Sequence, residues 1–215
     1  LIGKLEEKVS SAAQLTYHKI FNSYASYLEN AFERHSYFNS IVFKNEQKRL
    51  LDYYLPLTLV RHPDNQETRV DSYPEPLISD SKKILVVDTA GMGKTTLLKY
   101  MFIGCVEGSY GIPIYIELRK LTKKTSIVDY LIEQLSGIGE KVSQSLLFKL
   151  LESGDFVLFF DGYDEIAEDE RAEVTSRLQW FIEKANNNKF IISSREESGL
   201  IAFPQFQRYV IRPLL

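Results

Sequence analysis

Short apolar runs alternate with longer segments of helical periodicity along the second half of the chain. The apolar runs, which are typical of buried strands in a parallel sheet, cover residues 84–87, 112–118, 156–161, 189–194 and 209–211. Helices are predicted to begin at about Thr95 and to cover residues 127–135, 143–151 and 168–185. This alternation predicts an α/β fold with a five-stranded parallel sheet flanked by helices.

The first 50 residues have a different pattern. Apolar side chains recur at three- or four-residue steps from Leu5 to Phe32, with one longer gap, and this is the period of an amphipathic helix. We therefore predict that residues 1–52 form a helical segment, which is either a connector or the tail of an effector domain packed on the rest. The alternative is a coiled-coil dimerisation stripe, but a strict apolar heptad is not sustained.

Between these two parts, residues 61–80 are rich in polar side chains and turn residues. They include the prolines Pro63, Pro74 and Pro76. This composition predicts a loop, which would separate a lead-in strand at about residues 53–60 from the strand at 84–87.

The overall composition is that of a protein with a substantial core. Hydrophobic residues make up 44% of the chain and charged residues 26%, with a formal net charge of −3, which argues against broad attraction to nucleic acids or acidic membranes. The single cysteine, Cys105, lies among apolar residues and is predicted to be a small core residue. No apolar run approaches the roughly 20 residues of a membrane span. No secretory signal opens the chain, so we expect a cytoplasmic protein.

A glycine-rich loop directly follows the apolar run at 84–87. Its residues are Thr89, Ala90, Gly91, Met92, Gly93, Lys94, Thr95 and Thr96. Small residues and glycines let backbone N–H groups turn inward around phosphate oxygens, and Lys94 can reach the terminal phosphates. The hydroxyl of Thr95 is suited to bind Mg²⁺, and a following helix would point its positive end at the phosphates. A strand before the loop and a helix after it predict a phosphate-binding loop.

One position of this loop departs from the usual pattern, because Asp88 occupies the site of the first glycine in G-x-x-x-x-G-K-[ST]. Its carboxylate can turn away from the phosphates and accept hydrogen bonds from the backbone of the loop, as Asp does in turns. Alternatively, it can repel the nucleotide and weaken binding. We favour the first interpretation, because the second glycine and the Lys-Thr-Thr sequence are intact.

A second group of polar residues ends the strand at 156–161. Asp161 stands at the position where P-loop folds hold Mg²⁺, and Asp164 and Glu165 follow it. Their spacing would bring a carboxylate near the γ-phosphate to orient and deprotonate water, with Glu165 as first choice and Asp164 as second. The alternative is a solvated acidic turn, which the phosphate-binding loop upstream makes less favourable because two halves of one site agree.

The strand at 189–194 ends in Ser194 and is followed by Arg195. In P-loop ATPases with an extra strand, this tip carries a polar sensor of the γ-phosphate, and either residue could fill that role. Arg195 can stabilise the charge of a phosphoryl group, or alternatively pair with Glu196, Glu197 or another surface acid. Lys94, Asp161 and Ser194 all fall at the carboxyl ends of strands, where ligands bind in such sheets.

Three segments together resemble the NACHT family of STAND-class NTPases. They are residues 88–96, 161–165 and 192–195, and in particular the Ala-Gly-Met-Gly-Lys-Thr-Thr sequence and the small residue and two acids after Asp161. Residues 113–119 are similar to the second strand of that family, and residues 53–59 to the segment that leads into many bacterial NACHT modules. The resemblance covers about residues 45–215. It implies a nucleotide-binding domain over residues 53–215, normally followed by helical, winged-helix and sensor parts that this chain does not contain.

The resemblance also implies a function, because NACHT proteins include NOD-like immune receptors and bacterial antiviral proteins. We expect an ATP/ADP switch with slow Mg²⁺-dependent ATP hydrolysis, self-association in the ATP state, and a trigger ligand sensed by the missing C-terminal parts. Leu57, Leu59 or Tyr73 could contact the base, and ATP is favoured through the family. The rival hypotheses are a binding-only oligomerisation scaffold, a metabolite kinase, which would need an arginine-rich lid, and a nucleic-acid motor, which would need a second motor domain.

Overall fold

The N-terminal segment combines a long helix with a small hairpin. The computed structural model describes residues 11–39, 46–136, 142–196 and 198–213. Helix α1 (Ser11–Ser36) is followed by strand β1 (Tyr37–Asn39), which pairs antiparallel with β2 (Gln47–Arg49). Within the helical segment predicted for residues 1–52, α1 is helical, whereas the hairpin is not, and the aromatic Tyr37 and Phe38 of β1 favour a strand. The parts of this prediction at residues 1–10 and 40–45 lie outside the described residues.

Seven strands form the main sheet. They are β3 (Leu57–Arg61), β4 (Glu67–Val70), β5 (Lys83–Val87), β6 (Ile112–Glu117), β7 (Phe156–Asp161), β8 (Lys189–Ser194) and β9 (Gln207–Ile211). Their order is β4-β3-β9-β5-β8-β7-β6. The five strands from β9 to β6 are parallel, which confirms the predicted sheet, and the antiparallel hairpin β3–β4 extends it next to β9.

The loop predicted for residues 61–80 is wrong, because strand β4 and helix α3 lie within it. The short helix α2 (Leu50–Tyr53) precedes β3, and α3 (Glu75–Ser81) follows β4. Pro74 is the N-cap of α3 and Pro76 lies in its first turn. Proline is favoured at the start of a helix, where its missing N–H has no intrahelical partner, so these prolines mark a helix start instead of a loop.

Helices cover both faces of the sheet. They are α4 (Lys94–Gly108), α5 (Ile127–Leu135), α6 (Gln144–Leu151) and α7 (Glu168–Lys184). The start of α4 and both bounds of the other three match the predicted ones within one residue. A capping box formed by Ser126 and Asp129 begins α5. None of the helices in the described ranges is long and apolar enough to cross a lipid bilayer.

Successive side chains of a strand point to opposite faces of the sheet, so the hydrophobic core consists of two clusters, one on each face. Phe156, Leu158 and Phe160 of β7 belong to the cluster that contains α5, α6 and α7. Val157 and Phe159 belong to the cluster that contains α3 and α4. The second cluster includes Cys105, whose burial raises the pKa of its thiol to about 12, as expected for an unreactive core cysteine.

Helix α1 lies against α4, α5 and the edge strand β6. Its tyrosines contact the backbone groups that β6 directs away from the sheet. The hydroxyl of Tyr24 donates to the carbonyl of Pro113 at 3.4 Å, and the N–H of Tyr115 donates to the hydroxyl of Tyr27 at 2.8 Å. Because Pro113 has no N–H to donate, it suits an edge position. Helix α1 therefore closes this side of the sheet.

The buried imidazole of His35, near the end of α1, makes stability depend on pH. It packs against Tyr115 and Phe102, and burial lowers its pKa from 6.5 to about 3. The unfolded chain takes up this proton below pH 6.5 and the folded chain does not, so stability is lost as the pH falls from 6.5 towards 3. We expect His35→Phe to reduce this loss by roughly 2 kcal/mol at pH 5, measured by urea unfolding from pH 7 to pH 4.

The exposed His62 offers a matched control. We expect His62→Gln to leave the pH dependence of the wild-type chain unchanged. If the free energy of unfolding had the same pH dependence in the His35→Phe and His62→Gln variants, the pH dependence could not be assigned to His35.

Candidate functional site

The loop between β5 and α4 borders a cleft of about 320 Å³ at the carboxyl ends of the central strands. Gly91 and Gly93 have φ angles of +82° and +85°, which side-chain-bearing residues rarely adopt, so glycine is required at both turns. The first turn of α4 then begins with a hydrogen bond from Leu97 N–H to Gly93 O at 2.8 Å. Thus the loop leads directly into the N-terminus of α4, where anions are favoured.

Lys94 lies within this loop at the edge of the cleft. Its ammonium donates to the carbonyls of Asp88 and Thr89, at 2.7 and 2.6 Å. Burial lowers the pKa of Lys94 from its ordinary value, and the nearby carboxylates of Asp164 and Asp88 oppose that shift. The ammonium is therefore held at the cleft by neutral carbonyl oxygens, for which a phosphate oxygen can substitute.

The carboxylate of Asp88 bonds to the backbone, in agreement with the favoured interpretation. One oxygen accepts from the N–H of Thr89 at 2.7 Å, and the other accepts from the N–H of Ile211 at 2.8 Å. The second bond links the loop to strand β9, which the sequence did not predict. Asp88 thus connects the phosphate-binding loop to the last strand of the sheet.

Asp161 is the most densely hydrogen-bonded carboxylate of the cleft. It is 8% exposed. Its Oδ1 accepts from Thr95 Oγ1 at 3.1 Å and from Ser193 Oγ at 2.6 Å, and its Oδ2 accepts from the hydroxyl of Tyr115 at 2.8 Å. Thr95 and Asp161, which were predicted to bind the metal, are therefore in contact. A hydroxyl and a carboxylate beside a phosphate site are oxygen donors that fit Mg²⁺.

Ser193 is a residue of the cleft that the sequence interpretation missed. Besides donating to Asp161, its hydroxyl accepts from the N–H of Gly162 at 2.9 Å. The predicted sensor, Ser194, is fully buried and donates to the carbonyl of Arg195 at 2.7 Å, so its hydroxyl does not line the cleft. Adjacent strand residues point to opposite faces, and Ser193 is the one on the side of α4. The sequence shows that β8 ends in two serines, but it does not show which of them faces the cleft.

Arg195 pairs with an acid of the cleft itself. Its Nε lies 3.1 Å from Asp164 Oδ2, and its backbone N–H donates to Asp164 Oδ1 at 2.9 Å. The alternative in which Arg195 pairs with an acid is therefore observed, and this acid is Asp164. Glu197, one of the acids named for that alternative, lies outside the described residues. Both oxygens of Asp164 are therefore engaged by Arg195, and this carboxylate is held in place.

Glu165 is the more accessible of the two acids. Its side chain is 47% exposed, and its nearest cation is Arg119, with a nitrogen–oxygen distance of 3.6 Å. Arg119, just after the end of β6, also pairs with Glu117 at 2.5 Å. Because both side chains of this pair are largely exposed, the ion pair constrains Glu165 only weakly.

The remaining predicted residues lie around the loop in different environments. Ala90 and Thr96 line the cleft, whereas Thr89 does not, and Met92 packs against the core beneath the loop. The three candidates for contact with a base, Leu57, Leu59 and Tyr73, are all buried in the core. Leu57 lies closest to the loop, because a Cβ at Gly93 would be 3.3 Å from its Cδ1.

The fold and the cleft together define a P-loop NTPase. The family model described as NACHT domain matches residues 82–214, which is more than half of the chain, and the chain therefore belongs to the NACHT family. This family membership implies binding of a nucleotide and Mg²⁺ in general.

Two further comparisons add little. Among solved structures, the chain is similar to PCH-2 of C. elegans, with 14% sequence identity and a TM-score of 0.36. The match covers 63% of this chain and 36% of the PCH-2 chain, so this chain spans little more than a third of that protein's length. No curated protein matches the chain.

The bridge made by Asp88 predicts a cost in stability when its carboxylate is removed. Asp88→Ala leaves the N–H groups of Thr89 and Ile211 without their acceptor. We expect the free energy of unfolding to fall by about 1–3 kcal/mol, measured by urea unfolding at pH 7. The exposed Asp80 provides the control, and Asp80→Ala should change stability by less than about 0.5 kcal/mol. Equal stabilities of the two variants would exclude a structural bridge.

Proposed function

We propose that this chain is the nucleotide-binding part of a signal-transduction switch that binds ATP with Mg²⁺ and hydrolyses it slowly. One observation carries the proposal. Groups suited to bind phosphate, to bind a metal and to activate water line a single cleft at the carboxyl ends of β7 and β8, beside the loop that follows β5.

Each group has a separate role in this proposal. Lys94 and the N–H groups of the loop hold the β- and γ-phosphates, and Thr95 with Asp161 holds Mg²⁺. When bound, Mg²⁺ supplies positive charge next to the phosphate oxygens. Glu165 orients and deprotonates the attacking water, and Arg195 faces the transferring phosphoryl group.

The ion pair between Asp164 and Arg195 supports a switch that senses the γ-phosphate. The side chain of Arg195 is 59% exposed and its guanidinium is held by Asp164 at the border of the cleft. A γ-phosphate would compete with Asp164 for this guanidinium, so the pair would rearrange with ATP and reform with ADP. To move a conformational equilibrium from 1:99 to 99:1, the two nucleotides must differ by about 5.5 kcal/mol in their preference for the two states.

The wider setting of the proposal rests on family membership. We expect residues 53–215 to act as the NACHT domain and residues 1–52 to connect it to an effector or to form its tail. The ATP state would be open and self-associating and the ADP state closed, with the trigger sensed elsewhere in the protein. Cytoplasmic action in innate immune or antiviral defence is the setting that fits these expectations.

A binding-only oligomerisation scaffold is the second candidate function, and one observation favours it. Both acids that follow Asp161 are engaged by arginines, Asp164 by Arg195 and Glu165 by Arg119. If these pairs persist with ATP bound, no carboxylate is free to activate water. Nucleotide would then act as a structural ligand without turnover.

Removal of the Lys94 ammonium tests the phosphate site. We expect Lys94→Ala to weaken binding of ATP and ADP by at least about tenfold, because a charge-assisted hydrogen bond to phosphate is lost. Isothermal titration calorimetry with Mg²⁺ present measures both affinities. Lys99→Ala, on the same helix, is the matched control and should bind as the wild-type chain does.

Unchanged affinity of Lys94→Ala would refute the assignment of the loop. A wild-type chain that binds no nucleotide would refute the proposal for this chain. Asp88→Gly would then identify the cause, because binding restored by this change would assign the defect to the carboxylate.

A change at Glu165 separates the switch from the scaffold. We expect Glu165→Gln to lower the rate of ATP hydrolysis by about 10²–10⁴-fold while ATP affinity stays within a few-fold, because the amide cannot accept the proton. Phosphate release and calorimetry measure the two quantities. The exposed Glu168 provides the control, and Glu168→Gln should hydrolyse ATP at the wild-type rate. Hydrolysis that is absent from the wild-type chain, with signalling unchanged in Glu165→Gln, would favour the scaffold.

A further inference from the structure

Tyr115 joins the edge of the sheet to the carboxylate at the centre of the cleft. Its side chain is 3% exposed, and its hydroxyl donates to Asp161 Oδ2 at 2.8 Å. Among the described residues, the other two donors to this carboxylate, Thr95 and Ser193, both bond to Oδ1.

This division of donors fixes the rotation of the Asp161 side chain. With Oδ2 bound to Tyr115, Oδ1 stays directed at Thr95, the other predicted metal ligand. Without the Tyr115 hydroxyl, the charged Oδ2 of Asp161 would be buried without a hydrogen-bond donor, which is costly. The carboxylate would then rotate or bind water instead. Groups that orient a metal ligand in this way typically contribute 10–100-fold to metal affinity.

Helix α1 in turn holds Tyr115 from two sides. The backbone N–H of Tyr115 donates to the hydroxyl of Tyr27 at 2.8 Å. The ring of Tyr115 packs against His35 with 4.1 Å between ring centroids. Both contacts come from α1, which lies outside residues 82–214 matched by the family model. Helix α1 therefore contacts both the backbone and the ring of the residue whose hydroxyl reaches Asp161.

We propose that Tyr115 is a positioning residue for Asp161, and that helix α1, through Tyr27 and His35, sets the affinity of the nucleotide site for Mg²⁺. The inference rests on the proposed function, because it concerns the same cleft. It adds a route by which the N-terminal segment changes the site without touching the nucleotide. Displacement of α1 would release Tyr115 and weaken Mg²⁺ binding, while the phosphate-binding loop would keep its contacts.

Mg²⁺ dependence of ADP binding measures this effect. ADP affinity is determined by calorimetry for the 215-residue chain, first with EDTA and then over a series of buffered Mg²⁺ concentrations. We expect Tyr115→Phe to raise, by about tenfold or more, the Mg²⁺ concentration at which the enhancement of ADP affinity is half-maximal. The ADP affinity measured in EDTA should be unchanged. Tyr27→Phe should raise it several-fold, because the N–H of Tyr115 loses its acceptor.

Tyr24→Phe is the matched control. Tyr24 lies on the same helix and bonds to the same edge strand, but its partner is the carbonyl of Pro113 instead of Tyr115. We expect this variant to lose some thermal stability and to keep the wild-type Mg²⁺ dependence. If Tyr24→Phe shifted the Mg²⁺ dependence of ADP binding as much as Tyr27→Phe does, the effect would come from loosening α1 in general. That result would overturn the specific route through Tyr27.

The remaining outcomes separate this inference from the proposed function. Wild-type Mg²⁺ dependence in a folded Tyr115→Phe variant would overturn the inference alone, even if its melting temperature falls. A shift in Tyr115→Phe without one in Tyr27→Phe would retain Tyr115 and overturn the role of α1. If Tyr115→Phe does not fold, the Mg²⁺ dependence of ADP binding in Tyr27→Phe decides whether the inference holds. A wild-type chain that binds no nucleotide would overturn the proposed function and this inference with it.

Discussion

The cleft depends on the buried carboxylate of Asp161. A charge in this position is costly unless hydrogen bonds compensate for the water it has lost. Among the residues that the structure describes, three donors from three elements do so. Thr95 comes from helix α4, Ser193 from β8 and Tyr115 from β6. The register of the parallel strands, the position of α4 and the rotamer of Asp161 are therefore constrained together. This constraint keeps Oδ1 of Asp161, the oxygen proposed to bind Mg²⁺, next to Thr95.

The phosphate-binding loop is constrained in a comparable way from its other end. The carboxylate of Asp88 bonds to the N–H groups of Thr89 and Ile211, and Lys94 donates to the carbonyls of Asp88 and Thr89. A loop that requires left-handed backbone at Gly91 and Gly93 is thereby held by contacts within the protein itself. Such preorganisation reduces the entropy that binding must remove. An acid in a loop for anions is compatible with this function because its charge is bonded to backbone groups.

Features set by local hydrophobic pattern were predicted well from the sequence. Strands β7 and β8 and helix α5 have the predicted bounds, because their buried residues form unmistakable runs. Strand β4 was missed because Glu67 and Arg69 are exposed and give no apolar run, and helix α3 because its prolines were interpreted as loop residues. The contacts between residues of the site could not be predicted without the three-dimensional fold. Whether Ser193 or Ser194 faces the cleft depends on strand register, and the partner of Glu165 comes from the distant Arg119.

The tyrosines of α1 also decide how this sheet can meet other chains. A bare edge strand is a template on which another strand can pair and extend the sheet. At β6, the carbonyl of Pro113 and the N–H of Tyr115 already have partners on α1. At the opposite edge, β4 is only four residues long and carries exposed Glu67 and Arg69, which disfavours pairing. With α1 docked, contacts between copies of this domain would therefore form through side chains, and not through a continuous sheet.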